Sequence, residues 1–140
     1  MRLGSSGLTD DEFIAALRNC SYAIDDFRHL DHLRLGWILL SRMDPAIASD
    51  EATTIIRKFG LHHGKGHAYH ETITRAWMRL LATHDESSFE EFLAKNAERI
   101  ATDLLHEFWR SETLSSPQAR TEWVEPDVKT LPAIQIKRAL

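Results

Sequence analysis

Residues 27–45 read FRHLDHLRLGWILLSRMDP. Apolar residues recur here at helical spacing, and nothing alternates with a period of two. Asp44-Pro45 then pairs a cap residue with a proline suited to a first helical turn. The stretch predicts one helix ending near Met43 and another starting at once. It also carries two histidines. On a wheel advancing about 100° per residue, with Leu30 at zero, Leu33, Trp37, Leu39 and Leu40 form a broad apolar arc. Arg28, Asp31, Arg34, Ser41 and Arg42 fall mostly on the other side. His29 and His32 lie inside the apolar arc, about 60° apart, with Gly36 projecting between them. Both imidazoles are therefore expected to face the core, beside a position with no side chain. A helical glycine costs about 1 kcal/mol against alanine, and room for a ligand is one reason to tolerate it. Close approach of another helix is the other.

Helix signals continue in both directions. Thr9 and Glu12 form a capping box ahead of FIAALR, which predicts a helix over about 9–19. Asp26 is the expected N-cap of the helix at 27–43. The next helix runs from Pro45 to about Gly60, with Ala48, Ala52, Ile55, Ile56 and Phe59 on one face. Gly64 and Gly66 mark a loop, and a further helix covers about 68–84. Ser88 and Glu91 form a second capping box, whose helix is expected to break near Asn96 before continuing to Trp109. Ser116-Pro117 opens a short last helix to about Trp123, and the chain beyond is extended or looped. The expectation is an all-α fold, a single compact bundle of about six helices over 9–132. Residues 1–8 read as a native tail or a cloning remnant, and 133–140 as a second tail.

Bulk properties remove several function classes. A chain of 140 residues suits one core, and 43% hydrophobic with 27% charged residues is ordinary for a globular protein. Net charge is −4 and the Lys and Arg residues are scattered, which argues against nucleic acid or an anionic membrane as the main partner. Cys20 is the only cysteine, so an intrachain disulfide and a CxxC zinc site are both excluded. The longest apolar run, 35–40, is too short to span a bilayer, and no signal-peptide core opens the chain. A soluble, cytoplasmic protein is expected.

A second histidine stretch, KGHAYHETIT at 65–74, behaves like the first. With His70 at zero, Tyr69, Ile73, Trp77, Met78, Leu80 and Leu81 surround it, and Thr74 shares the face. Glu71 lies at the edge, and Thr72, Arg75, Arg79 and Thr83 point away. Three inward histidines, His29, His32 and His70, can meet their hydrogen-bonding needs through a bound metal, and imidazole suits Zn, Fe, Cu or Ni. Glu71, Glu125 or Asp127 is then a fourth ligand or a proton shuttle. Without a metal, the same histidines can do acid–base chemistry on a small organic ligand, with His70, Glu71 and Glu125 as proton-transfer groups. Trp37, Trp77 and Thr74 would wall that pocket. The plainest alternative is a non-catalytic interaction module whose core histidines bond to backbone.

Other motifs carry less. Asp26-x-x-His29 and Asp103-x-x-His106 imitate half of a di-iron site, but Asp103, His106, Glu107 and Arg110 share a polar face. HAYHE is not HExxH, and no glycine-rich phosphate loop occurs. His62-His63 reads as a polar helix end.

Three separated motifs resemble those of a family of small bacterial all-helical hypothetical proteins. They are F-x-H-x-x-H-L-x-x-x-W at Phe27–Trp37, Y-H-E-T-I-T at Tyr69–Thr74, and S-P-x-A-R-x-x-W-V-E-P-D at Ser116–Asp127. The resemblance covers about 10–132. It departs at Gly36, where the family has a small residue with a side chain. It implies no activity, but it groups the WVEPD loop, with Glu125 and Asp127, with the two histidine motifs.

Overall fold

The computed structural model describes residues 7–134, apart from the side chain of residue 102. The expected tails at 1–8 and 133–140 lie mostly outside these residues. The described residues form helices, turns and loops, with no strand among them. In chain order the α-helices are α1 (Asp10–Arg18), α2 (His29–Arg42), α3 (Pro45–His62), α4 (Glu71–Leu81), α5 (Phe89–Asn96), α6 (Ser111–Leu114) and α7 (Pro117–Thr121). Short 3-10 turns occupy Ile24–Asp26, Gly66–Ala68 and Thr102–Glu107. No helix among the described residues is long and apolar enough to cross a membrane. The chain divides into two compact units, Met1–Tyr69 and His70–Leu140.

In the first unit, α1 and α2 both pack on α3. The α1 capping box forms as read: the Glu12 amide donates to Thr9 Oγ1, and the Thr9 amide donates to Glu12 Oε1. Both α1 and α3 end in the same hydrogen-bonded pattern. In α3 the Lys65 amide reaches the Gly60 carbonyl (2.7 Å), the Gly64 amide reaches Leu61 (3.1 Å), and Gly64 has φ +73°. In α1 the left-handed position is taken by buried Cys20, φ +64°.

Two expectations for this unit change. Helix α2 starts at His29, its N-cap is Arg28, and Asp26 belongs to the preceding turn. Its buried surface is also wider than the wheel implied. Leu35 and Ile38 are buried with Leu33, Leu39 and Leu40, and so is Asp31 at 2% exposure. Asp31 belongs inside because Tyr22 Oη donates to its Oδ2 at 2.5 Å. A hydrogen-bonded carboxylate can be buried where an unpaired one cannot.

In the second unit, α4 and α6 both pack on α7. Trp109 (0% exposed), Ala76, Leu80, Leu105, Phe108 and Leu114 form its core. The break after Asn96 appears as expected, but the chain then forms a 3-10 turn in place of a renewed α-helix. The Ser88 cap forms with the Glu91 amide. The Glu91 carboxylate instead accepts from Ser87 Oγ and pairs with Lys95.

Candidate functional site

Helix α2 begins abruptly. Its cap residue, Arg28, offers no side-chain acceptor to the first turn, so entry is fixed by packing. Phe27 stands just before the cap and His32 in the first turn, the two positions that commonly form a hydrophobic staple. Their rings stack with centroids 3.9 Å apart and planes 22° apart. Phe27 meets Phe59 and Tyr22 edge-on, at 5.2 and 6.4 Å. Tyr22 in turn is held by Asp31. A chain of contacts, Asp31–Tyr22–Phe27–His32, thus orients one imidazole.

That imidazole has a defined tautomer. His32 Nδ1 lies 2.8 Å from the Arg28 carbonyl oxygen. A carbonyl only accepts, so Nδ1 carries the hydrogen and Nε2 keeps its lone pair. Burial pushes the His32 pKa below the usual imidazole value, and neighbouring His29 adds to this. The Arg28 carbonyl and the Asp31 carboxylate pull the other way without overcoming burial. At neutral pH His32 is a neutral hydrogen-bond acceptor and a potential base.

His32 lines an open cleft of about 410 Å³ within the first unit. Its apolar walls are Phe27, Ile56, Phe59, Ala68 and Tyr69, and its polar groups are Asp25, Arg28, His32 and Lys65. The volume falls in the range of small-molecule sites, roughly 300–1,000 Å³. Gly60, on the last turns of α3, also lines it. A cavity in the second unit, about 70 Å³ and lined by Trp77, His84 and Asn96, has room for a few waters only. Beside it, Glu86 Oε2 accepts from Asn96 and Oε1 lies 3.4 Å from His84 Nδ1.

His29 and His32 belong to the first unit, and His70 to the second. His70 is the N-cap of α4 and does not sit within that helix. Its Nδ1 accepts from the Ile73 amide at 3.1 Å, so its Nε2 carries the hydrogen and donates to the Leu114 carbonyl at 2.7 Å. Both nitrogens are engaged, and a metal at either would displace a bond. Among the described residues no group of three His, Cys, Asp or Glu side chains is placed to hold a metal ion.

The remaining carboxylate candidates lie in the second unit. Glu71 pairs with Arg75 at 2.6 Å. Glu125 accepts from Trp123 Nε1 at 2.5 Å. Asp127 accepts from Thr113 Oγ1 and from the Arg110 amide, and these two bonds hold its pKa below the usual carboxylate range. Thr72, read as pointing away, is fully buried. Its hydroxyl donates to the Glu122 carbonyl at 2.8 Å and accepts from the Val124 amide at 3.2 Å. Trp109 Nε1 donates to the Val124 carbonyl. Trp37, Thr74 and Trp77 are each partly exposed, and of these only Trp77 lines a cavity described above.

No family model matches the chain, and no curated protein or solved structure matches it either.

Sequence reasoning missed Gly60, Lys65, Ala68 and Tyr69 as partners of His32. The one available signal was the glycine inside an otherwise well-formed helix end.

Proposed function

We propose that the first unit binds a small organic molecule in the cleft beside His32, without a metal. The observation that carries this reading is the pairing of an open cleft with an imidazole whose tautomer is fixed. The Arg28 carbonyl holds Nδ1–H, and Nε2 is left as an acceptor. Apolar walls with a few fixed polar groups are the usual composition of such sites. A neutral imidazole of lowered pKa can take a hydrogen bond from a ligand hydroxyl or amine, and can remove that proton if the ligand reacts. The same geometry therefore serves a binding protein or a metal-free acid–base enzyme.

The test is a small-molecule screen by thermal stabilisation on the wild type, His32→Phe and Ala68→Trp. Ala68 is exposed on the cleft wall, so tryptophan there fills space without disturbing the core. The expected result is saturable stabilisation that Ala68→Trp abolishes and His32→Phe weakens. Hits indifferent to Ala68→Trp, or no hits at all, would overturn the reading.

A further inference from the structure

The charge around the cleft narrows the ligand class, an inference that rests on the binding reading above. Arg28 and Lys65 line the cleft, and among the described residues Asp25 is the one carboxylate that does so. A third cation stands close by: the Arg57 guanidinium lies 5.4 Å from the centre of the Tyr69 ring. Arg28 is held in place, its Nε donating to the Asp25 carbonyl at 3.0 Å. That bond leaves the two terminal nitrogens of the guanidinium for a planar acceptor, the geometry that favours a carboxylate. Lys65 is positioned by its own backbone, whose amide closes the end of α3 on the Gly60 carbonyl. The apolar lining of the same cleft is largely aromatic, with Phe27, Phe59 and Tyr69 beside Ile56.

We propose that the cleft takes a small aromatic carboxylate. Its head group meets Arg28 and Lys65, its ring lies along the Phe59 and Tyr69 side, and a hydroxyl or amine on it donates to His32 Nε2. While the ring is neutral, a carboxylate against Nε2 would set lone pair against lone pair, so a separate donor on the ligand serves that nitrogen better. The proposed ligand class therefore combines an anion with a separate donor.

The test compares para-hydroxyphenylacetate with its primary amide, which keeps ring and hydroxyl but removes the charge. Both are titrated calorimetrically into the wild-type full chain, Arg28→Gln, Lys65→Gln and Ala68→Trp. Circular dichroism melting checks that each variant is folded. The acid is expected to bind about tenfold more tightly than the amide. Each charge variant should weaken the acid by roughly 3–10-fold and the amide by distinctly less, and added salt should weaken the acid more than the amide. Equal binding of acid and amide, abolished by Ala68→Trp, would overturn the anion inference and leave the binding reading intact. Binding of neither compound while other screen hits seat in the cleft would also overturn it. No hits at all, or hits none of which is sensitive to Ala68→Trp, would remove both readings together.

Discussion

Phe27 and His32 lie face to face, their ring centroids 3.9 Å apart across the first turn of α2. The contact starts a helix that has no side-chain cap, and it fixes an imidazole at the edge of the cleft. One histidine thereby serves both the fold and the proposed chemistry.

The titration of His32 follows from its burial. Its pKa is lowered in the folded state, so the folded protein binds fewer protons than the unfolded chain. The stability it contributes is fully present above the unfolded value, about 6.5. It is lost as pH falls below that value towards the lowered folded pKa. Denaturant melts from pH 7.5 downwards should show this fall in the wild type. In His32→Phe, which keeps the stack but cannot titrate, that part of the fall should be absent. Parallel curves for the two proteins would contradict the assignment.

Tyr22→Phe removes one hydroxyl and leaves the Asp31 carboxylate buried without that donor. The expected loss is about 1.5–3 kcal/mol, the range for a hydrogen bond to a charged group. Because Tyr22 also positions Phe27, the variant should shift the His32 ring resonances as well as the melting midpoint. A loss under about 0.5 kcal/mol with unmoved His32 signals would mean the Tyr22–Asp31 bond is not part of this chain.

His70 is read as a cap and a tie. Asparagine is a good N-cap and alanine a poor one. His70→Ala should lose both the cap to Ile73 and the bond to Leu114, and His70→Asn should recover the cap alone. Alanine is therefore expected to cost more, by about 1 kcal/mol. Equal losses measured by chemical denaturation would show that capping is not what His70 does.

Thr72 ties the 122–124 segment to α4 with two hydrogen bonds. Thr72→Val keeps the shape and removes both, at an expected cost of about 1–3 kcal/mol, while Thr72→Ser keeps the hydroxyl and should cost less. Amide exchange at Val124 should accelerate in the valine variant and not in the serine one. Unchanged Val124 protection would rule the tie out.

Much of the fold is legible in the sequence because its signals are local. Capping at Thr9 and Ser88, prolines at 45 and 117, and the glycines at 64 and 66 each act within a few residues of their own position. Asp31 and Thr72 are illegible for the opposite reason. A wheel sends polar residues outwards, and it takes partners distant in sequence, Tyr22 for Asp31 and Glu122 and Val124 for Thr72, to satisfy these two inside. The histidines show both cases. Their unusual placement stands out in the sequence, yet His70 proves to be a cap because its helix begins one residue later. The cleft beside His32 draws on the far end of α3 and the turn after it, a closure that no spacing within 27–37 could reveal.

The most direct test is a long-range proton–nitrogen correlation spectrum of the His32 ring at neutral pH, with and without a saturating ligand from the screen. A neutral ring protonated at Nδ1, with an Nε2 resonance that moves on ligand addition, is the result expected. A ring protonated at Nε2 in the free protein, or His32 signals that no bound ligand perturbs, would contradict the account.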